Sequence, residues 1–368
     1  MVLEEFLSEW RNSSDRVLVH TSGSTGAPKP MWPEKEKMRN SARITCDFLG
    51  LQPGDTALLC MNLKYIGAKM VVVRSIERRL RLLSVEPSGH PMAALLQGQS
   101  VTETDFHDPA ALPHPCPQGQ KIPAPTFAAM VPLQVYNTLQ VPEEAALLRQ
   151  IRHLIIGGGA IDDQLAAALR DFPHAVWSTY GMTETLSHIA LRRLNGPEAS
   201  DWYTPFDGVT LSLTDEGCLV ISAPAVHEGP LVTNDIAELS PPAPADSPPA
   251  PASSTRRFRI LGRKDNVVCS GGIKIQIEEV ERLLRPHLHV PYMITKAPDE
   301  KLGEQVVLLT ESKTVGDVLA LCRLHLPKYW VPRRILSVDR LPLTETGKPA
   351  RHEAERMAMT PDRSQAPL

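Results

Sequence analysis

The stretch from residue 20 to residue 30 reads HTSGSTGAPKP and combines glycine, serine and threonine with a single lysine, Lys29. Such a run offers flexible backbone N–H groups, hydroxyl donors and one cation, which together suit the oxygens of a polyphosphate. It is not a Walker A loop, because Pro28 precedes the lysine and Pro30 and Pro33 follow it where a helix would have to begin. Taken alone, the stretch is either a phosphate-binding loop or an ordinary surface turn.

The composition indicates a globular protein of two or three domains. The chain has 368 residues, of which 42% are hydrophobic and 22% charged, with a formal net charge of −3 at pH 7. It is therefore long enough to bury a substantial core, and its charge gives no reason to expect a nucleic-acid partner. The six cysteines form no CxxC pair, and no stretch reaches the ~18 consecutive apolar residues of a membrane helix. We expect a cytoplasmic protein with no membrane anchor.

Strands and helices alternate in the first part of the chain, which predicts an α/β domain with a largely parallel sheet. Strands are expected at residues 16–20, 57–60, 70–73 and 151–156. A helix is expected at residues 161–169, where Asp162 and Asp163 suit the positive end of the helix dipole. The basic run at residues 74–81 is interpreted as the solvated side of another helix.

The second half of the chain changes character twice. Residues 205–260 alternate in short strand-like runs with turn signals, so a smaller β-rich portion is expected there. Within it, residues 241–254 read PPAPADSPPAPASS, a composition that cannot bury a core and that we interpret as an exposed hairpin tip. The C-terminal part has enough elements for a small α+β domain. These are helices at 278–284 and 315–326 and strands at 305–310 and 334–338.

An aromatic residue, a hydroxyl and a carboxylate stand close together at residues 178–185, STYGMTET. The ring of Tyr180, next to Gly181, can offer a flat face to a purine. The pair Thr183 and Glu184 can offer a hydroxyl to phosphate and a carboxylate to Mg²⁺, which prefers hard oxygen ligands. The alternative is an ordinary strand-to-helix junction in which one of the threonines caps the helix.

Three further stretches carry polar residues in loops. Asp235 ends the run TND and is placed to accept hydrogen bonds from ribose hydroxyls. Residues 261–275, LGRKDNVVCSGGIKI, combine a turn, a strand and a Gly-Gly hairpin. Residues 341–348, LPLTETGK, hold Lys348 beyond a glycine. Each stretch is a weak signal by itself, and their order along the chain is the stronger one.

In this order the stretches resemble the signature of the acyl-adenylate-forming superfamily, which includes acyl-CoA synthetases, adenylation domains of peptide synthetases and luciferases. The resemblance extends from residue 17 to residue 351. In it, TSGSTGAPK resembles the phosphate loop, LIIGGGAID the glycine strand, YGMTET the adenine and Mg²⁺ segment, TNDIAEL the ribose segment, GRKDNVVCSGGIKI the interdomain hinge and TETGK the catalytic-lysine loop.

The resemblance implies an α/β fold in two domains. Residues 1–263 would form a large α/β plus β-rich domain that binds ATP and the acyl substrate. Residues 264–368 would form a small α+β domain on a hinge. The sequence departs from the family pattern in three places: Pro30 stands where relatives usually have glycine, only about twenty residues precede the phosphate loop, and a Pro/Ala-rich insertion interrupts the strands at residues 236–261. We therefore expect a truncated N-terminus.

Roles for individual residues follow from the resemblance. Such enzymes let a carboxylate attack the α-phosphate of ATP, so the site must neutralise charge on the phosphate oxygens. The residues implied for this step are Lys348 as catalytic cation, Thr183 at the α-phosphate, Glu184 as Mg²⁺ ligand, Tyr180 and Gly181 at adenine, and Asp235 and Arg263 at the ribose. The further contacts implied are Thr21, Ser22, Gly23, Ser24, Thr25, Gly26 and Lys29 at the phosphates, and Gly157, Gly158 and Gly159 along the acyl-adenylate.

A second, thioester-forming step implies coenzyme A and a moving C-terminal domain. Relatives rotate this domain about a hinge residue so that a thiol reaches the acyl carbon, and the matching residue is Asp265. The alternative for Asp265 is a turn residue that caps the bend at Gly262 and Arg263. After rotation, the residues implied to line the thiol's tunnel are Ser270, Gly271 and Gly272.

Among short members of the superfamily, the chain is most similar to o-succinylbenzoate–CoA ligases of menaquinone biosynthesis. The similarity lies in residues 128–139, 180–196 and 262–275. That substrate carries two carboxylates, and the one that is not activated needs a polar or cationic partner. The candidates are Gln134, Ser187, His188 and Arg192. For His188 the alternative is a helix-face histidine satisfied by backbone or water.

The prediction is therefore an AMP-forming acid–thiol ligase that uses ATP, Mg²⁺ and coenzyme A on a small carboxylic acid. Three alternatives stay open: another aryl- or acyl-CoA synthetase, a stand-alone adenylation domain that loads a carrier protein, and a nucleotide-binding protein that has lost catalysis. The presence of Lys348, Glu184 and Asp265 together argues against the last. The oligomeric state is not predicted.

Overall fold

The computed structural model describes residues 1–20, 29–159, 161–241, 256–344 and 348–359, and of Asp163 the backbone alone. The helices in these ranges are α1 (Leu3–Arg11), α2 (Lys35–Leu49), α3 (Ile66–Arg78), α4 (Pro91–Gln97), α5 (Pro132–Leu139), α6 (Pro142–Leu148), α7 (Asp163–Leu169), α8 (Ile277–Leu284), α9 (Val315–His325) and α10 (Arg351–Met359). None of them has the length and apolarity needed to cross a membrane.

The strands are short in the first half of the chain and longer in the second. They are β1 (Val19–His20), β2 (Pro30–Met31), β3 (Thr56–Leu59), β4 (Arg81–Ser84), β5 (Thr102–Asp105), β6 (His114–Pro115), β7 (Phe127–Met130), β8 (His153–Ile156), β9 (Ala175–Gly181), β10 (His188–Arg193), β11 (Thr204–Pro205), β12 (Thr210–Leu213), β13 (Cys218–Ser222), β14 (Pro230–Leu239), β15 (Phe258–Arg263), β16 (Val267–Ser270), β17 (Ile273–Gln276), β18 (Tyr292–Asp299), β19 (Gly303–Thr310) and β20 (Arg334–Ser337). A 3₁₀ turn, Lys264–Asn266, joins β15 to β16.

A nine-stranded sheet with the order β11-β10-β9-β8-β7-β3-β4-β5-β6 forms the centre of the larger part. Its middle strands β9, β8, β7, β3 and β4 run parallel, and the outer strands pair antiparallel. Both faces are covered, because Ala57 and Leu59 of β3 enter one apolar cluster while Leu58 enters another. In such a sheet the carboxyl ends of β7, β8 and β9 meet at one edge, which is where ligands bind.

Two smaller sheets follow along the chain. Strands β12 to β15 form an antiparallel sheet, and the C-terminal sheet has the order β17-β16-β19-β18 with β20 parallel to β19. The apolar clusters divide as the sheets do: two lie between Leu3 and Phe258, and two between Val268 and Ala358. The domain boundary expected after Arg263 falls between these groups and stays a prediction.

Most of the expected elements are present. The strands at residues 57–60 and 151–156 are confirmed as β3 and β8, and the helix at residues 161–169 as α7. Asp162 caps α7 by accepting a hydrogen bond from the Leu165 N–H at 2.8 Å. Of the strand expected at residues 16–20, only the last two residues form β1.

The second half of the chain also agrees with expectation in most respects. The β-rich portion is confirmed as β12 to β15, and the C-terminal elements as α8, β19, α9 and β20, while β18 was not predicted. Strands β14 and β15 pair antiparallel as far as Leu239 and Phe258. The hairpin tip expected between them falls on residues 242–255, which lie outside the described ranges.

Two expectations about residues 70–81 are wrong. The valine run at 70–73 is not a strand but lies inside α3, where residues 68–75 are all buried. β-Branched residues favour strands locally, and burial on every side of the helix removes the periodic pattern that would have indicated a helix. The basic run does not line a solvated face, since Arg74 is 1% exposed and α3 ends at Arg78.

Helix α1 fixes the chain just ahead of the serine- and glycine-rich stretch. Phe6, Leu7 and Trp10 bury its apolar side in the main cluster. From the same helix, a carboxylate oxygen of Glu9 accepts the Leu18 N–H at 3.0 Å, and Nζ of Lys69 in α3 donates to the Leu18 carbonyl oxygen at 2.6 Å. Both polar groups of the Leu18 peptide backbone are therefore held by charged side chains.

Candidate active site

Three glycines follow β8 at the common edge of the parallel strands. A methyl group added at Gly157 would lie 2.3 Å from Oγ1 of Thr179, so β8 and β9 approach closely only because this residue is a glycine. Gly158 has a φ of +78°, in the left-handed region that favours glycine. A methyl group there would have Cγ1 of Val131 at 3.5 Å as its nearest neighbour. The chain after β8 therefore presents bare backbone at the ligand-binding edge.

We expect Gly157→Ala to destabilise the protein and Thr179→Ala to relieve most of the loss. The new methyl group would overlap the threonine hydroxyl, and overpacking of this kind costs about 1–3 kcal/mol of unfolding free energy. In the double variant the hydroxyl is absent, so the free energy of unfolding measured in urea should return towards the wild-type value. A Gly157→Ala variant as stable as the wild type would contradict the close approach of β8 and β9.

The segment after β9 forms a tight turn that joins β9 to β10 in a hairpin, so the alternative of a helix cap is wrong. Oγ1 of Thr185 accepts the Met182 N–H at 3.0 Å and donates to the Ser187 carbonyl oxygen at 2.8 Å. Thr183 is buried in this turn. Glu184 is half-buried, and its carboxylate has no hydrogen-bond or ion-pair partner among the residues described. The turn therefore holds a carboxylate that can accept a cation.

Tyr180, Asp235 and Arg263 form a connected group where the large sheet meets the antiparallel sheet. Asp235 of β14 and Arg263 of β15 are paired residues on neighbouring strands, with Nε of Arg263 4.0 Å from Oδ1 of Asp235. The hydroxyl of Tyr180 donates to Oδ2 of Asp235 at 2.6 Å. Burial, together with the charge of Asp235, raises the pKa of Tyr180, so the hydroxyl keeps its proton and continues to donate.

Two aromatic rings that no sequence motif marks pack against Tyr180. The ring of Phe258 meets it edge-on with 5.0 Å between centroids, and that of Tyr203 lies tilted at 5.8 Å. The hydroxyl of Tyr203 is hydrogen-bonded to Oγ of Ser178 at 2.8 Å. This cluster fixes the plane of the Tyr180 ring at the end of β9. The sequence holds no signal for it, because Tyr203 and Phe258 pair only through the tertiary fold.

Lys348 lies beside Arg263 without a counter-ion of its own among the residues described. Burial, and then the positive charge of Arg263, lower the pKa of its ammonium group. Its backbone N–H donates to Oγ1 of Thr344 at 3.1 Å, which ties the two described sides of the loop together. An ammonium group that is crowded by a guanidinium and has no carboxylate partner favours the binding of an anion.

Asp265 lies in the 3₁₀ turn between β15 and β16. Its carboxylate accepts hydrogen bonds from Nη2 of Arg263 at 3.0 Å and Nδ2 of Asn234 at 3.1 Å. It therefore stabilises the bend at Gly262 and Arg263, as expected if Asp265 is a turn residue. At this bend the chain passes from one group of apolar clusters to the other. Beyond it, Gly271 and Gly272 turn the hairpin of β16 and β17, with φ values of +58° and +83° that suit a two-residue turn.

Two of the residues expected to hold a second carboxylate are fully engaged inside the protein. Gln134 is buried, and its amide donates to the carbonyl oxygens of Cys60 at 2.8 Å and Ser88 at 2.9 Å. His188 is buried at the start of β10, so the alternative of a helix-face histidine is wrong. Burial, and then the charge of Arg74, hold the pKa of His188 well below its ordinary value.

The other two candidates differ from each other. Oγ of Ser187 accepts a hydrogen bond from Nη2 of Arg74 at 2.6 Å. Arg192 of β10 lies over the ring of Tyr203, 5.3 Å from its centroid, and its side chain is 18% exposed. Nε of Arg192 is buried without a hydrogen-bond partner in the described part of the chain. Nη1 of Arg192 lies 3.5 Å from Oδ1 of the exposed Asp201, so of the four candidates Arg192 is the one with a cation whose ion pair within the described residues lies at the surface.

The residues expected at the phosphates are described only in part. Thr21, Ser22, Gly23, Ser24, Thr25 and Gly26 lie outside the described ranges, as do residues 345–347 ahead of the lysine, whereas Lys29 is described and exposed. The remaining set fits a nucleotide: bare backbone after β8, an aromatic ring beside an acid, and a carboxylate and a cation that have no ion-pair partner within the described ranges. Contacts connect Tyr180 through Asp235 to Arg263, and the charge of Arg263 acts on Lys348.

This fold and this group of side chains define the class of enzymes that activate carboxylates as adenylates. The chain belongs to the AMP-binding enzyme family, whose pattern matches residues 8–231. It is similar to the 2-succinylbenzoate–CoA ligases of Geobacillus sp. (strain WCH70), 24% identical over 96% of this chain and 71% of that one, and of Enterococcus faecalis (strain ATCC 700802 / V583), 23% identical over 95% and 71%.

Solved structures give the same result for the fold. The acyl-CoA synthetase (AMP-forming)/AMP-acid ligase II-like protein of Dyadobacter fermentans DSM 18053 is 28% identical with a TM-score of 0.58, covering 97% of this chain and 93% of that one. The o-succinylbenzoate coenzyme A synthetase of Bacillus subtilis, in complex with ATP and magnesium ion, is 20% identical with a TM-score of 0.66, covering 91% and 69%. The predicted fold and the predicted class, an AMP-forming acyl-CoA synthetase, are confirmed, and ATP, Mg²⁺ and coenzyme A are the cofactors of that class.

Proposed function

We propose that this chain is an ATP-dependent o-succinylbenzoate–CoA ligase, which makes o-succinylbenzoyl-CoA for menaquinone biosynthesis in the cytoplasm. The observation that supports carboxylate activation most directly is Lys348, which has no counter-ion among the described residues and is under the charge of Arg263, the partner of Asp235. The substrate is supported by the names of the relatives, which match nearly the whole chain, and by the cationic Arg192 on β10.

In the first step, a carboxylate oxygen of the substrate attacks the α-phosphorus of ATP and the bond to pyrophosphate breaks. Negative charge accumulates on the phosphate oxygens, and Lys348 would neutralise it without competition for its ammonium group from a carboxylate of the described residues. Asp235 would accept the ribose hydroxyls, with Arg263 and Tyr180 fixing its orientation. The ring of Tyr180 would lie along adenine, and the backbone of Gly157 to Gly159 would lie along the adenylate.

Glu184 suits Mg²⁺, because a half-buried carboxylate with no partner in the described part of the chain is a hard oxygen ligand that none of these residues would have to release. A bound Mg²⁺ would supply charge neutralisation at the phosphates, with the Thr183 hydroxyl next to it. Phosphate contacts from Thr21 to Gly26 and Lys29 remain part of the proposal on the strength of the sequence pattern.

In the second step, the thiolate of coenzyme A attacks the acyl carbon and AMP leaves with the shared oxygen. We propose that the part of the chain after Arg263 rotates about Asp265 and brings the hairpin at Ser270, Gly271 and Gly272 to the acyl group. The position of Asp265 between the two groups of apolar clusters supports a hinge there, because the buried members of these clusters lie on one side of the 3₁₀ turn or the other.

The substrate is tested by a panel of carboxylic acids assayed for AMP release with ATP and coenzyme A. The panel should include o-succinylbenzoate, benzoate, succinate and a medium-chain fatty acid. We expect the highest kcat/KM with o-succinylbenzoate. Activity with another member of the panel and indifference to o-succinylbenzoate would remove this substrate while leaving the enzyme class.

A variant of the spectator-carboxylate residue sharpens the same test. Arg192→Gln should raise KM for o-succinylbenzoate about tenfold or more, because a hydrogen-bonded charge is lost, and should leave KM for benzoate unchanged. Gln134→Leu has no reason to discriminate between the two acids, since its amide already bonds to the protein backbone. Equal effects of Arg192→Gln on both acids would contradict contact with a second carboxylate.

The stand-alone adenylation domain is the second candidate within the superfamily. It is separated from the ligase by the thiol acceptor. A ligase releases AMP with free coenzyme A, whereas a loading domain requires a carrier-bound phosphopantetheine and is indifferent to coenzyme A at the same concentration. The same panel, run with either acceptor, distinguishes the two.

A further inference from the structure

A buried arginine lies behind the hairpin turn that holds Thr183 and Glu184. Arg74 of α3 is 1% exposed, and no carboxylate within the described ranges forms an ion pair with it. Its Nη2 donates to Oγ of Ser187 at 2.6 Å, and its Nε is buried without a partner there. Burial lowers the pKa of Arg74 to about 10, so its guanidinium is still charged at neutral pH. A buried and uncompensated charge is costly to keep.

The bond to Ser187 is the first of a directed chain of hydrogen bonds. Arg74 can only donate, so Ser187 must accept from it and can give its own proton to Nδ1 of His188, 3.2 Å away. The ring of His188 is neutral, since burial and the charge of Arg74 hold its pKa well below the ordinary value. Its proton therefore lies on Nε2 and is donated to Oγ1 of Thr45 at 3.1 Å, and Thr45 donates to the Ser41 carbonyl oxygen at 3.1 Å.

This series of hydrogen bonds holds one end of a strained turn. Leu186 is 2% exposed and has a φ of +64°, in the left-handed region that a branched apolar residue rarely adopts. On one side of it, Thr185 bonds to both Met182 and Ser187. At Gly181 a methyl group would lie 2.2 Å from the Ser187 carbonyl oxygen, so β9 and β10 are too close at this point to admit a side chain. A backbone in this conformation persists only where its surroundings fix it from several sides.

We propose that Arg74 is a positioning residue for adenylation, which acts through Ser187 to hold Thr183 and Glu184 in place. The inference rests on the proposed roles of Thr183 and Glu184 at the α-phosphate and at Mg²⁺. It assigns Ser187 and His188 to the support of the turn, since their polar side-chain atoms already bond to Arg74, Thr45 and each other. The guanidinium combines the length needed to reach Oγ of Ser187 from α3 with N–H groups that can only donate.

The test compares Arg74→Met, Arg74→Lys and Ser187→Ala with the wild type. The matched control is Arg149→Met: Arg149 follows α6, near the amino end of β8, and its guanidinium lies 4.7 Å from the centre of the Phe172 ring, away from the turn. Two quantities are measured: carboxylate-dependent ATP–pyrophosphate exchange as a function of Mg²⁺, and calorimetric binding of ATP with and without Mg²⁺. Thermal unfolding of every variant separates loss of fold from loss of function.

We expect Arg74→Met to lower kcat of exchange about ten- to a hundredfold with KM for the carboxylate unchanged, as displaced catalytic groups do. The gain in ATP affinity that Mg²⁺ gives should shrink, while affinity for Mg²⁺-free ATP stays. Arg74→Lys should recover part of kcat, and Arg149→Met should change none of these values. Ser187→Ala, a small change that keeps Arg74, should reproduce the effect if Arg74→Met does not fold.

Two results would overturn the inference. The first is that Arg74→Met and Ser187→Ala merely lower the unfolding temperature, with kcat and the Mg²⁺ response unchanged at temperatures where the variants are folded. This result would show a purely structural role. A rise in KM for the carboxylate with kcat unchanged would instead make Ser187 a substrate contact. Failure of the proposed function is distinguishable from both, because the wild type itself would then show no exchange with any carboxylate of the panel.

Discussion

Replacement of Lys348 by alanine should lower carboxylate-dependent ATP–pyrophosphate exchange about a hundred- to a thousandfold, the usual effect of removing one preorganised charge from a transition state. The physical reason is that no described side chain replaces this ammonium group, while Arg263 beside it is engaged by Asp235 and Asp265. Thioester formation from a preformed acyl-adenylate should keep its rate, because the rotation proposed about Asp265 would carry Lys348 away from the α-phosphate before the thiol attacks. Exchange and thioester formation are measured separately.

The control for this prediction is Lys328→Ala, which removes an exposed lysine from the same C-terminal part of the chain. Its exchange rate should equal that of the wild type. If Lys348→Ala exchanges pyrophosphate as fast as the control does, Lys348 has no role in adenylation.

The lowered pKa of Lys348 also predicts a pH profile. Burial and the nearby Arg263 shift the pKa of the ammonium below its ordinary value of 10.5, so the charge is lost at a lower pH than for an exposed lysine. The rate of adenylation, as kcat/KM, should therefore fall on the alkaline side as pH rises through the lowered pKa. In Lys348→Arg the group stays charged, and the alkaline fall attributable to this group should move to higher pH.

Replacement of Asp265 by proline should spare adenylation and reduce thioester formation about a hundredfold or more. Proline fixes one backbone dihedral angle at its residue, so a rotation at the 3₁₀ turn between β15 and β16 would be blocked, and a rate-limiting domain movement would fail. Pyrophosphate exchange should stay near wild type because it does not require the movement. The measurement is the ratio of exchange to CoA-dependent AMP release.

Asp265→Ala separates the backbone effect from the loss of the carboxylate. It removes the hydrogen bonds to Arg263 and Asn234 but leaves the dihedral angles free, so both half-reactions should continue. Equal loss of both half-reactions in Asp265→Pro would show that the residue is a turn brace and not a hinge.

The sequence predicted the elements whose pattern is local. The helix at α7 has its cap at Asp162, and the apolar runs at β3 and β8 end in polar residues or glycine. The same reasoning failed for the valine run in α3, which was predicted to be a strand, because a helix that is buried on every side shows no polar face. Arg74 was misplaced for that reason, although its position directly after four apolar residues in sequence was the available signal of burial.

The candidate site was predictable in its residue types and not in its connections. Motif order indicated Tyr180, Asp235, Arg263 and Lys348, but the hydrogen bond between Tyr180 and Asp235 spans 55 positions of sequence, and the charge of Arg263 acts on Lys348 from a distant segment. The bond between Thr45 and His188 crosses 143 positions of sequence. No local rule indicates such pairs, because they depend on how β10 packs against α2 in the folded chain.

Helix α1, close to the start of the chain, helps to hold the backbone at Leu18. Glu9 and Lys69 hold its N–H and carbonyl oxygen, and neither belongs to a signature motif. Two relatives could therefore share every motif and still differ in how firmly the backbone ahead of the serine- and glycine-rich stretch is held. For protein engineering, a tag fused to Met1 would extend an exposed residue. Removal of residues 1–10 would instead remove Glu9, one of the two side chains that hold the Leu18 backbone.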